Sequence, residues 1–338
     1  MAERFVSLQS LMRGTEVPIL REGVPSFFGM PVAHTPRELA GADVAVIGIP
    51  AGTAASPGRR SDEWSGFEEA PANVRRHSIR YGGYLPELDL DAFEHVSVVD
   101  YGDAEIVPGD PERSIDKVAR KVREVLEAGC RLITLGGCVP AANYAVIKGM
   151  ATSTSGRVGV ISLDAHGDCM PSFGTPGSDT KPVAGTWQAR MWERYPNIDG
   201  TRHVEIGMRG PRNLRKMVEM YREKGAHWYP AARVREMGIA AVCREALPFA
   251  FDGTARAWFS LDMDVLDIGA LPDWGDEPIG LSSLEVMTTV HEAGKSGVDA
   301  LSFQFVAPRS AAAASVVGYT TVYLLAGWVL GGWIKAGC

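Results

Sequence analysis

The sequence predicts a three-layer α/β/α sandwich built on a mainly parallel sheet. Three observations predict it. Short runs of near-continuous apolar residues recur along the chain. Amphipathic stretches with helical spacing alternate with them. No linker or internal repeat divides the 338 residues. Apolar runs without polar alternation mark strands covered on both faces, as in parallel sheets. Strand and helix in alternation place helices on both sides of such a sheet. The expected organisation is one domain over 1–338, with 1–40 as an N-terminal extension packing on it.

The expected strands are Ala42–Pro50, Val96–Gly102, Arg131–Gly137, Val158–Asp164, His203–Gly207, Ala257–Asp262 and Ala300–Gln304. The clearest helical pattern is Ser114–Ala128, with Ile115, Val118, Val122, Val125 and Leu126 on one stripe. Leu214–Lys224 and Leu284–Ala293 read similarly. From Ser310 to Ile334 there is no charge, and Val316–Ile334 is long enough to span a bilayer. Gly327 and Gly331 have a spacing used in helix packing. Because the rest of the chain reads as soluble α/β, a buried final helix is expected and no membrane partner.

Composition narrows the function. Lys and Arg number 34 against 41 Asp and Glu, a net charge of −7, which argues against a nucleic-acid partner. Apolar residues at 46% and charged residues at 22% are globular values and exclude a disordered chain. The 5 cysteines include no CxxC pair, so a reducing, cytoplasmic setting is expected rather than a disulfide framework. The charged N-terminus has no apolar core, so no secretory signal is expected.

In a parallel sheet, ligands bind beyond the carboxyl ends of the strands. Two such ends carry chemistry: Asp164-Ala-His166-Gly-Asp168 and Asp262-Met-Asp264-Val-Leu-Asp267. Period-two spacing puts each motif's side chains on one face if the strand stays extended. Carboxylates gathered at one point repel unless a cation lies between them. A mixed Asp/His set suits Mn²⁺, Ni²⁺, Fe²⁺ or Zn²⁺.

These motifs resemble the ureohydrolase superfamily of arginases, agmatinases and guanidino-acid hydrolases. Ala70-Pro-Ala-Asn-Val-Arg-Arg-His-Ser78 is similar to its GPxAIRxxS helix, His203-Val-Glu-Ile-Gly-Met-Arg209 to its hxxIGxR strand, and Glu277-Pro-Ile-Gly-Leu281 to its EPGGL segment. The resemblance implies an arginase-like fold, trimers or hexamers, and a dinuclear centre whose hydroxide attacks a guanidinium carbon. It implies that Asp164 and Asp262 bridge two metals, that His166 and Asp264 complete one, and that Asp168 binds the other. Glu277 matches the acid that grips the guanidinium. Asp168 and Glu277 are thus the expected catalytic groups, with Glu277 and Trp274 against the substrate.

The chain departs from the family at one place. Val139 stands where GGDHS supplies a metal-binding histidine. Ala184 stands where HGT supplies a proton-shuttling histidine, and Phe305 where VEVxP supplies a glutamate. Cys138 is a possible substitute ligand or a small buried cysteine. One metal site, for Ni or Mn, keeps its ligands while the second loses its histidine. The expected function is therefore a non-catalytic or weakly active subunit of a hetero-oligomeric ureohydrolase, partnered by a homologous chain with a complete site. The substrate class is a small guanidine or a biguanide of the metformin type, as in nickel-dependent paired chains of this superfamily. Two alternatives stay open: an autonomous guanidine or amidine hydrolase with a changed mono- or dinuclear centre, and a non-enzymatic scaffold. Trp64, Trp187 and Trp192 could line an apolar pocket or simply pack, and Arg59-Arg60 could face its mouth.

Overall fold

The computed structural model describes residues 23–52, 66–138, 140–174, 177–272 and 277–334. Val139, Trp274, Arg59, Arg60 and Trp64, singled out from the sequence, lie outside the described residues, as does most of the expected extension before residue 23.

Ten strands are described: β1 Val44–Ile49, β2 Tyr84–Leu85, β3 Leu90–Asp91, β4 Val98–Asp103, β5 Arg131–Gly136, β6 Val158–Leu163, β7 His203–Ile206, β8 His227–Tyr229, β9 Arg256–Asp262 and β10 Ala300–Gln304. The helices are α1 Ala70–Ser78, α2 Ala92–His95, α3 Pro111–Glu127, α4 Tyr144–Ser153, α5 Trp187–Arg194, α6 Arg215–Lys224, α7 Ala231–Met237, α8 Ile239–Phe251, α9 Ser283–Lys295 and α10 Ala311–Leu330. β2 and β3 form a small antiparallel pair. The other eight strands form one sheet in the order β4-β1-β5-β10-β9-β6-β7-β8. Every pairing in it is parallel.

The inner strands of the sheet bury both faces, and β1 shows how. Val44 and Val46 point into a core shared with α1, α8, α9 and α10. Ala45, Ile47 and Ile49 point into the opposite core, with α3, α4, α5 and α6. The near-continuous apolar runs follow from this double burial, and the three layers are those the sequence predicts. Helix ends are capped by local chemistry. Asp110 accepts from the Arg113 amide (3.0 Å) ahead of α3, and Ser282 and Glu285 cap α9 reciprocally.

One edge of the sheet is covered from the N-terminal side. Pro31 and Ala33 exchange backbone hydrogen bonds with Asp100 of β4 (both 2.9 Å). The Asp100 carboxylate takes a two-pronged contact from buried Arg75 (2.8 and 2.9 Å) and the Phe27 amide (2.7 Å). The charge-free α10 meets the length and apolarity of a membrane span, yet 72% of that window is buried inside the protein. Its Gly327 lies against α9. A Cβ there would come within 2.5 Å of the His291 carbonyl and 3.1 Å of Gly294 Cα. The glycine spacing thus serves helix packing inside the fold.

Between β5 and β6 in sequence, two later strands are inserted in space. β10 and β9 fill the middle of the sheet. The carboxyl ends of β5, β10, β9 and β6 therefore stand side by side, and the two acidic motifs occupy the last two.

Candidate metal centre

Asp164 follows β6 directly and Asp262 is the last residue of β9. The chain does not continue extended beyond either, contrary to the period-two expectation. Residues Met263–Val265 turn into a 3₁₀ helix. The cause is local hydrogen bonding. Asp262 Oδ1 accepts from the Asp264 amide (3.0 Å), and Asp164 Oδ1 accepts from the His166 amide (2.6 Å). Such short-range carboxylate–amide bonds favour turns over strands. The two turns, rather than one strand face, bring the motifs together.

Asp164, His166 and Asp264 converge, each buried, with one ligand atom apiece all within 4.8 Å of one another. His166 Nδ1 lies 3.0 Å from Asp264 Oδ2. Adjacent ligands on a cation at about 2.1 Å stand roughly 3 Å apart, so this donor set fits one divalent ion. Asp262 and Asp168 lie outside this group of three. Asp262 is occupied as a turn acceptor. Asp168 Oδ2 accepts from Trp187 Nε1 (2.9 Å) at the start of α5.

The electrostatics are those of crowded anions. Burial raises Asp164 and Asp262 well above the usual carboxylate range, and neighbouring carboxylates add to it. Burial pushes Asp168 up to about 7, against the pull of His166. For Asp264, burial is outweighed by the charge and hydrogen bond of His166, which hold it at about 2. His166 is also penalised by burial. Its partners Asp264 and Glu277 nevertheless lift it to about 10. The charged form of His166 is thus favoured among the acids, where a cation would serve the same electrostatic purpose.

Glu277 joins from the loop before α9. Its Oε1 lies 3.1 Å from His166 Nε2, and its Oε2 is buried with no hydrogen-bond partner among the described residues. Two side chains without an assigned part in the sequence hold this arrangement. The Arg209 guanidinium donates to the carbonyls of Asp264 (2.8 Å), Leu266 (3.1 Å) and Glu277 (3.0 Å). Asn213 accepts from the Gly167 amide (2.9 Å) and donates to the Ala165 carbonyl (2.8 Å). Together they tie the two acidic turns to the Glu277 loop. The IGxR resemblance marks Arg209. No sequence signal marks Asn213.

The ends of β5 and β10 differ. Cys138 and Phe305 are buried with Phe67, and Ala184 packs against them. The rings of Phe67 and Phe305 meet edge to face at 5.7 Å. Phe305 takes a left-handed backbone (φ 52°), and its amide donates to Gly137 (3.0 Å). Trp187 and Trp192 are buried in the core.

A family model described as the arginase family matches residues 42–325. The chain belongs to the arginase family of ureohydrolases. Proclavaminate amidinohydrolase of Streptomyces clavuligerus is 28% identical over 287 residues, covering 80% of this chain and 81% of that protein. Agmatinase of Bacillus subtilis is 27% identical over 237 residues, covering 69% and 74%. Among solved structures, formimidoylglutamase of B. subtilis superposes with a TM-score of 0.78 at 22% identity, over 95% of this chain and 99% of that one. Formiminoglutamase of Trypanosoma cruzi, solved with Mn²⁺, has a TM-score of 0.73 at 25% identity, over 90% and 99%.

Proposed function

We propose that this arginase-family chain is the non-catalytic or weakly active subunit of a hetero-oligomeric, metal-dependent ureohydrolase. Its partner is a homologous chain with a complete metal centre, in a trimeric or hexameric assembly in the cytoplasm. The reaction is hydrolysis of a guanidine or biguanide C–N bond. For metformin this would release dimethylamine and leave guanylurea.

The observation that supports this is the apolar cluster at the ends of β5 and β10. Cys138, Ala184 and Phe305 stand at or beside family positions that carry a metal-binding histidine, a proton-shuttling histidine and a glutamate. Here they pack with Phe67. Two of the lost positions, Ala184 and Phe305, are apolar and pack in one place, while the acids at the ends of β9 and β6 stay. Loss of a general acid alone typically costs about 10²–10⁴ in rate.

One divalent ion fits Asp164, His166 and Asp264. Manganese is favoured by the T. cruzi relative solved with Mn²⁺, and nickel by the resemblance to paired biguanide hydrolases. When bound, such an ion would lower the pKa of bound water and make hydroxide available near neutral pH. Around it, Glu277 stands where the resemblance places the acid that grips a guanidinium, and Asp168, kept in place by Trp187, would hold or move a proton.

The test is turnover of metformin and of simple guanidines by the purified chain alone, and by the chain co-purified with a homologous partner. The expected result is release of amine only with the partner. Turnover by the chain alone, free of homologues, would overturn the reading in favour of an autonomous hydrolase.

A further inference from the structure

The acidic site already faces a guanidinium, and it belongs to the chain. Arg212 lies just beyond β7, with Nε 3.6 Å from Glu277 Oε1. The side chain is 43% exposed, so it approaches from the solvent side, as an incoming ligand would.

A carboxylate holds a guanidinium best through a fork of two parallel N–H···O bonds, which needs both oxygens aimed the same way. Glu277 has no such fork to offer. Oε1 is shared between His166 Nε2 and Arg212 Nε. Oε2 is turned onto Gly210, where a Cβ would come within 2.6 Å of it. Gly210 has φ 76°, so the close approach and the backbone both call for glycine. A free guanidinium cation would have to displace Arg212 or bind beside a like charge.

We propose that Arg212 is the specificity-determining residue of this site. It occupies the guanidinium position of Glu277 and closes the chain's own acidic site to free guanidinium-type cations. This rests on the reading of Glu277 as the acid that holds a guanidinium.

The test is calorimetric titration of the full chain with guanidinium chloride at low millimolar concentration and constant ionic strength. No saturable binding is expected for the native chain. Arg212→Ala and Arg212→Gln, the second keeping most of the stem, should bind guanidinium roughly tenfold tighter or more. That binding should vanish when Glu277→Gln is added. Equal affinity in the native chain and both variants would overturn the proposal. So would no binding by a variant that melts like the native chain, or binding that survives Glu277→Gln. None of these outcomes touches the requirement for a partner chain, which is read from turnover. Conversely, turnover of a simple guanidine by the native chain alone would overturn both readings, whereas turnover only with the partner, together with equal guanidinium affinity in all three chains, would overturn this one alone.

Discussion

Neighbouring strand ends of one sheet have opposite characters here. The ends of β6 and β9 bury Asp164, Asp262, Asp264 and His166. The adjoining ends of β10 and β5 bury Phe305 and Cys138 against Phe67. Apolar packing is favourable as it stands. Buried carboxylates are not, and they persist only where main-chain amides, Arg209 and a cationic partner hold them. The acidic half is therefore maintained at a cost in stability. The apolar half stabilises the fold by burial.

The sharpest way to break this contrast is to remove one member of each half. Asp264→Ala deprives His166 and the Ala165 amide of their partner and should destabilise the chain by about 3 kcal/mol. It should also abolish any rise in melting temperature on adding Mn²⁺ or Ni²⁺. Phe305→Ala opens a cavity beside Phe67 and should likewise lose about 3 kcal/mol, read by urea denaturation. Its response to the cation should be unchanged. A cation response lost equally in both variants would mean that the two halves form one site.

A second test concerns the charge state of the acidic half. Without a metal, burial raises Asp164 well above the usual carboxylate range, and Asp264 and Glu277 lift His166 to about 10 against its burial, so the imidazole holds a proton near neutrality. A cation needs both deprotonated. Binding should therefore release protons, and affinity should rise from pH 6 to pH 8. Calorimetry in two buffers of different ionisation enthalpy counts those protons. A cation saturating at about 100 times its Kd should add about 2.7 kcal/mol of stability, and chelation should remove it. Affinity flat with pH would mean that the ion binds elsewhere.

How much of this was legible in the sequence depends on the kind of signal. The sheet was legible because burial on both faces leaves unbroken runs such as Val44–Ile49. β8 and the helices after it were missed. β8 is only 3 residues long, and Pro248 interrupts the helical pattern of α8. The acids could be found because aspartates at period two are rare in apolar strand ends. Their turn was not foreseen, because period two describes a strand, and each first aspartate ends its strand by capping. Arg209, Asn213, Arg212 and the Trp187–Asp168 bond depend on tertiary placement. The apolar half could be seen only as departures at Val139, Ala184 and Phe305. That the described ones pack together is a fact of the fold.

The smallest expected effect lies on the rim of the acidic half. Ile279 follows Glu277 by two residues, is 56% exposed and has φ 65°. A β-branched side chain in the left-handed region is strained by about 1–2 kcal/mol, and the resemblance places glycine in this segment. Ile279→Gly relieves that strain but gives the unfolded chain more freedom, by about 0.4–1 kcal/mol. A net gain of about 1 kcal/mol or less is expected, seen as a small rise in melting temperature. Loss of stability instead would show that the side chain has a packing role that offsets the strain. A gain in stability with weaker co-purification of a homologous chain would be more telling. Strain kept at an exposed apolar residue would then be accounted for by contact with the partner, and the acidic rim, not the apolar half, would face it.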